Sequence, residues 1–390
     1  MFSRLTVQTA GESHGRGMLV TLTGIPAGLE LDLAFVDECL RRRQAGFGRS
    51  ARQALEQDRA DVLAGLVGGR TTGAPLALMV WNKDDSLADK PAFTRPRPGH
   101  ADLAGGCKYD TTDMRGILER ASARETAARV AAGAVAEDLL RRLDIEVLGY
   151  LVGLGGLAVP GAPEGVDPIT LRGRRDASPF HALEAERESE LEQAVLAARA
   201  EGDTLGGVVE VTAWGLPPGL GSLAGLATRL DARLAAALMS IQAMKAVELG
   251  DGVAAASRRG SEVHDPVGPP GSEGPSRPSN RAGGLEGGMS NGEPVVARAF
   301  MKPIATLARP LRSWDYETGE ASEAFFERSD VTAVPAAAVI AEAMVALVVL
   351  DALLEKTGGD TLEEVSGALE RHRRQVARRF GSSEAEDPVR

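Results

Sequence analysis

Two stretches of this chain are apolar around most of their circumference, and they limit what it can fold into. One is an Ala/Val/Leu-rich helix opened by Ser122 and running to about Leu143; the other, Val334 to Leu354, is more apolar still. A surface helix carries an apolar stripe and a polar back. These two have almost no polar back, so each must be covered on several sides. The second contains Glu342 and Asp351 and begins beside Pro335, which marks it as a buried helix rather than a membrane span. β-branched runs predict strands over 4–10, 18–24, 62–67, 75–80, 206–214 and 294–301, and periodicity predicts further helices over 32–43, 186–201 and 229–248. Strand and helix do not alternate with a regular period, which excludes a doubly wound parallel sheet. The expected architecture is α+β: one large domain over 1–378, with long apolar helices sandwiched between antiparallel β-sheets, followed by a polar tail over 379–390. Residues 257–280 are rich in Gly, Pro, Ser and charge, hold no aromatic residue, and are expected to form a mobile loop.

Charge constrains the partners. The net charge of −11 opposes general nucleic-acid binding, which needs a basic surface. Arginines nevertheless gather locally, at Arg41, Arg42, Arg43, Arg49 and Arg52, and again at Arg95, Arg97, Arg115, Arg120 and Arg124. A basic pocket in an acidic protein suits a small anion better than a polymer, although Arg41 to Arg43 read equally well as a solvated helix end. The only two cysteines, Cys39 and Cys107, make neither a metal cage nor a disulfide framework. Met1-Phe2-Ser3-Arg4 opens no apolar signal core, so a cytoplasmic protein is expected.

Three clusters concentrate the chemistry: Gly11-Glu12-Ser13-His14-Gly15, Arg97-Pro98-Gly99-His100-Ala101-Asp102, and Arg120-Ala121-Ser122-Ala123-Arg124-Glu125-Thr126. The chain has 5 histidines, and two of them sit here among glycines and arginines. An imidazole changes charge near neutral pH, and a guanidinium grips phosphate or carboxylate with a planar fork. Together they predict proton transfer beside an anion. Ser122 and Glu125 also have capping-box spacing. The first cluster matches the nucleophile elbow G-x-S-x-G, but a strand rather than a helix follows it, which argues against a serine hydrolase. Gly219-Leu-Gly-Ser-Leu-Ala224 loosely matches a dinucleotide fingerprint, yet Pro217 and Pro218 before it favour a plain loop. His181, His264 and His372 lie among polar residues and read as surface positions.

Taken in order, a longer set of segments resembles the chorismate synthase family. They are the histidine-bearing clusters above, Arg41-Arg-Arg-Gln44 with Gly48-Arg49, Gly69-Arg-Thr-Thr-Gly73, Ser122-Ala-Arg-Glu-Thr126, Gly287-Gly-Met-Ser-Asn-Gly292, Lys302-Pro-Ile-Ala-Thr306 and Arg328-Ser-Asp330. Each is weak alone; the ordered set is specific. The resemblance implies a carbon–oxygen lyase that converts 5-enolpyruvylshikimate 3-phosphate to chorismate by 1,4-elimination of phosphate. It implies dependence on reduced FMN (FMNH2), with NADPH as the reductant in some members, and a homotetramer.

By the same correspondence His14 lies beside the flavin ring, His100 faces the leaving phosphate, and Asp330 lies near flavin N5. Flavin-binding positions are Arg120, Ala121, Ser122, Gln242, Ala243, Gly287, Lys302, Pro303, Ile304, Ala305, Thr306 and Arg328. Ser13, Arg43, Arg49 and Arg124 fall at positions associated with substrate or NADPH. Ala121 and Ser329 stand where many members have Ser and His; neither change removes a group with an implied catalytic role. The rival readings are an enolpyruvyl transferase, which needs no flavin, and a phosphometabolite-binding protein, which has no use for two paired histidines.

Overall fold

The computed structural model describes residues 2–49, 57–326 and 330–382. Its architecture follows from the need to cover the two apolar helices. Strands Thr6–Ala10, Gly17–Thr23, Leu76–Trp81 and Asp61–Ala64 form one antiparallel sheet in that spatial order. A second sheet runs Met244–Leu249, Val295–Met301, Gly207–Trp214, Glu146–Leu154, Leu157–Ala158, antiparallel throughout. Helices Thr126–Arg141 and Val334–Thr357 lie against each other between them. The first faces the four-stranded sheet, the second the five-stranded one, and helix Leu33–Gln44 fills in beside both. The α+β sandwich expected from helix apolarity is therefore the fold.

Strand period explains the inner faces. Met18, Val20 and Leu22 from one strand and Leu76, Leu78 and Val80 from its neighbour are buried, each two residues from the next. Val209, Val211 and Ala213 with Val295, Ala297 and Ala299 do the same in the second sheet. Close layers need missing side chains at two contacts. A Cβ on Gly133 would stand 2.3 Å from that of Ala343, and one on Gly149 would stand 2.3 Å from the Ala338 carbonyl oxygen.

Every residue from Val334 to Leu354 is buried, including its two acids. Asp351 accepts from the backbone amides of Ser3, Arg4 and Leu5 and from Arg233, fastening the N-terminal segment. Glu342 accepts from Arg42 Nη2 at 2.7 Å, from Arg175, and from the Gly149 amide at 2.7 Å. Buried carboxylates are held at such depth only by paired cations and hydrogen bonds.

Several expectations need correction. The helix expected over 229–248 is Leu230–Met239 followed by strand Met244–Leu249. The break is a turn in which Ala243 adopts φ +67, and pairing with Val295–Met301 takes up the backbone groups that the helix would have used. The capping box is half made. Ser122 Oγ accepts from the Arg124 amide, but Glu125 turns away to Arg129, Thr9 and Gln242. His181 is not a surface residue. It is 4% exposed, its Nδ1 lies 3.0 Å from the Pro335 carbonyl, and burial pushes its pKa down to about 4. The ring is therefore neutral, and Nδ1–H donates.

The last helix, Leu362–Phe380, continues past the boundary expected at 378. Within 257–280 there is one helical turn, Gly260–Val263. Asp265 and Arg277 anchor the segment: the first accepts from Ser279 and the Arg281 and Ala282 amides, the second pairs with Glu286.

Candidate active site

The loops at one end of the helical layer enclose a cavity of about 530 Å³. That volume is in the range of small-molecule and cofactor sites. Its floor is apolar, from Ala336, Ala337 and Ile340 of the long helix with Leu118 and Ile241. Its walls bring all three sequence clusters together.

His14 sits on the turn between the first two strands. The turn is tight: Gly11 has φ +117, and a Cβ there would lie 2.2 Å from the Gly17 carbonyl oxygen. The imidazole is buried, and Nδ1 lies 2.9 Å from Oε2 of Glu119 on helix Arg115–Ala121. The same carboxylate takes the His14 amide at 2.9 Å and the Ser13 hydroxyl. Burial by itself would raise the Glu119 pKa, but hydrogen bonds from His14 and Ser13 outweigh it and bring the carboxyl down to about 2. An ionised carboxylate only accepts. Nδ1 therefore carries its hydrogen towards Glu119, and Nε2 is the basic nitrogen of the neutral ring. Asp84 Oδ2 stands 3.9 Å from Nε2. The Ser13 hydroxyl gives its hydrogen to Glu119 rather than to His14, so the elbow-like pattern houses no activated nucleophile.

His100 repeats the arrangement. Its Nδ1 is in hydrogen-bond contact with Asp102 Oδ1, and Asp102 also takes Arg97 Nε at 2.9 Å and Nη2 at 3.1 Å. Burial opposes ionisation of Asp102, but the His100 and Arg97 bonds win and hold it far below the usual carboxylate range. Arg97 Nη2 also lies 2.9 Å from His100 Nδ1. One nitrogen cannot give its hydrogen to Asp102 and accept another in the ring plane. The fully buried carboxylate decides the matter, and the arginine contact is that of a neighbouring cation. Arg97 Nη1 donates to Thr306 Oγ1 at 3.0 Å, tying the cluster to the 302–306 segment.

The anion-binding candidates are all held by carboxylates. Asp58 bridges Arg43 Nη2 at 2.6 Å and Arg124 Nη1 at 2.6 Å. Arg49 pairs with Asp330 at 2.8 Å. Burial draws the Arg43 guanidinium down to about 10, with Asp58 opposing, and it lowers Arg49 as well. The three adjacent arginines part company: Arg41 stays outside with Glu38, Arg42 goes into the core with Glu342, and Arg43 goes to the cavity. The solvated-end reading is thus right for Arg41 alone.

Of the other expected positions, Ala121, Ser122, Gln242, Ala243, Lys302, Ile304, Ala305 and Thr306 line the cavity, as do Ser13, His14, His100, Arg43, Arg49, Arg124 and Asp330. Pro303 lies between lining residues without lining it. Arg120 is exposed and donates to the Thr9 carbonyl and hydroxyl. Gly287 stands on an exposed turn away from the cavity. Arg52 and Arg328 lie outside the described residues. Glu119 and Asp58 carry no motif that sequence reasoning could use. The faint signal for Glu119 is its i,i+4 spacing from Arg115, with which it pairs.

A flavin fits what is present. The floor is apolar. Among the described residues Gln242 Oε1, Arg43 Nε and Arg49 Nε are buried with no hydrogen-bond partner. Lys302 adds a cation whose pKa is lowered by burial and by Lys245.

The model of the chorismate synthase family matches residues 5–354. The chain belongs to the chorismate synthase family. It is 49% identical over 388 residues to the chorismate synthase of Symbiobacterium thermophilum, covering 95% of this chain and 99% of that one. It is 50% identical over 384 residues to the chorismate synthase of Desulforudis audaxviator, covering 95% and 97%. A crystal structure of a chorismate synthase superposes with a TM-score of 0.81 at 39% identity, over 97% of this chain and all of the other. The family's activity is that of a carbon–oxygen lyase which eliminates phosphate from 5-enolpyruvylshikimate 3-phosphate to give chorismate, and it is flavin-dependent.

Proposed function

We propose that the cavity binds reduced FMN and 5-enolpyruvylshikimate 3-phosphate side by side, with His100 as the acid at the leaving phosphate and His14 as the proton-holding group beside the flavin. The observation that carries this reading is the pairing of two imidazoles on one cavity. Each gives Nδ1–H to a buried carboxylate, which makes Nε2 the basic nitrogen of each neutral ring. A protonated His100 stabilises charge building on the departing phosphate. Glu119 and Asp102 fix the tautomers.

Arg43, Arg49 and Arg124 meet the substrate anions. Each guanidinium is already charged and oriented, and the substrate exchanges places with part of what Asp58 and Asp330 now hold. Asp330 is the carboxylate at the flavin side that assists departure of the substrate proton. The flavin would lie on Gln242, Ala243, Ala121, Ser122 and the 302–306 segment, where it would supply transient electron density to the substrate. NADPH is the candidate reductant at the arginine end. The protein acts as a cytoplasmic homotetramer, and a neighbouring copy accounts for Gly287 and Arg120 lying outside their own chain's cavity.

An anaerobic assay with the enolpyruvyl substrate tests this. Chorismate should form with dithionite-reduced FMN and not with oxidised FMN alone; adding NADPH to oxidised FMN shows whether the chain reduces its own flavin. Equal rates without flavin would end the proposal.

A further inference from the structure

One aromatic ring underlies the supports of both imidazoles. Phe93 is 2% exposed and packs with Met114 and Leu118, and Phe325 meets it edge-on with centroids 4.9 Å apart. The guanidinium carbons of Arg97 and Arg115 both stand 5.7 Å from the Phe93 centroid. Arg115 is also 5.7 Å from the Phe325 centroid. The two arginines lead to different histidines. Arg97 grips Asp102, which takes His100 Nδ1. Arg115 reaches Glu119 at 3.5 Å, and Glu119 takes His14 Nδ1. The backbone of Phe93 is fixed to the same helix start. Its amide donates to Asp113 Oδ1 at 2.9 Å, and that oxygen also takes the Arg115 amide at 3.0 Å.

A guanidinium near an aromatic face is attracted by the ring quadrupole, more strongly where water is excluded. Arg97 and Arg115 are both buried. Arg115 is the more dependent on the ring, because its contact with Glu119 is long and, among the described residues, its only other side-chain hydrogen bond is to the Pro91 carbonyl. We infer that Phe93 is a positioning residue that couples the two proton-handling centres, holding Arg97 and Arg115 so that Asp102 and Glu119 hold His100 and His14. The inference rests on the reading of these histidines given above. It goes beyond that reading in making the two centres respond together to a residue that touches neither.

The test is NMR of the histidine Nδ1–H groups at fixed pH in the full-length protein with labelled histidine, read in parallel with turnover. His14 faces Glu119 from helix Arg115–Ala121 and Asp84 from the 82–89 loop. His100 faces Asp102 and Arg97, with Lys302 Nζ approaching the Gly99 turn. In Phe93→Leu the ring is lost and apolar bulk is largely kept. In a second variant pentafluorophenylalanine replaces Phe93, keeping the shape and reversing the quadrupole, which serves if the leucine variant fails to fold.

In both variants the Nδ1–H signals of His14 and His100 should move together, because slackened carboxylates loosen both hydrogen bonds. His181, His264 and His372 should not move. Reduced-FMN turnover should drop about tenfold with KM little changed. Movement of one signal only, or of neither, overturns the coupling. Joint movement in a protein whose His14→Ala and His100→Ala variants keep full turnover would uphold the coupling and refute the assigned roles.

Discussion

Each imidazole at the cavity has one nitrogen committed to a carboxylate, and this separates His14 and His100 from the other histidines. His181 shows the contrast. Its Nδ1 donates to a backbone carbonyl, it faces Arg175 and Arg42, and burial keeps it uncharged. Its folded pKa, about 4, lies below the ordinary 6.5. The unfolded chain therefore binds the proton first. The stability this confers is complete above about pH 6.5 and is lost as pH falls from there towards 4. Glu119 is also depressed, from 4.5 to about 2, and its contribution goes only in that lower window. Urea unfolding at pH 7 and pH 5 should thus show wild type losing about 1–2 kcal/mol more than His181→Asn, a residue that tolerates the positive φ found here. Equal losses would mean that His181 is protonated in the folded state.

At the scale of elements, the helix–helix contact through Gly133 is one of the close joints of the sandwich. Gly133→Ala gains about 1 kcal/mol of helix propensity but drives a methyl into Ala343 at 2.3 Å. Overpacking of that kind typically costs about 1–3 kcal/mol, so chemical denaturation should show net destabilisation; a more stable variant would mean that the layers can separate freely. The sequence makes these helices legible because apolarity on every side has only one solution. It hides other elements. Strand Glu146–Leu154 is apolar on both faces, because Leu148 and Tyr150 are covered by Leu171 and Leu183 outside the sheet, so it shows no alternation. Helix Leu230–Met239 runs in Ala-rich sequence into a strand, and the stop is a strained alanine rather than a glycine. At the site, the histidines and arginines are legible because they sit in motifs with Gly and Pro. Their carboxylate partners Asp58 and Glu119 are not, because the pairing exists only after distant segments meet. Arg42 and Arg43 are neighbours in sequence and go to different places, which helix geometry decides and composition does not.

At the scale of the whole molecule, two sheets cover a helical layer whose loop-bearing end carries the cavity, and an acidic surface surrounds a cationic recess. Segment 257–280 has little regular structure and few buried apolar groups, its order resting on Asp265 and Arg277. We propose that it becomes more ordered when FMN and substrate bind. Limited proteolysis should cut it quickly in the free protein and slowly with both ligands present; an unchanged cutting rate would make it a surface insertion. We propose that His100 supplies the proton at the leaving phosphate while His14 serves the flavin. The most direct measurement is anaerobic single-turnover phosphate release with reduced FMN for wild type, His14→Ala and His100→Ala. FMN and substrate affinities should change much less than the rate, which should fall about 10²-fold or more in each variant, the usual scale for a positioned acid or base. Folded His100→Ala protein that releases phosphate at the wild-type rate would contradict it.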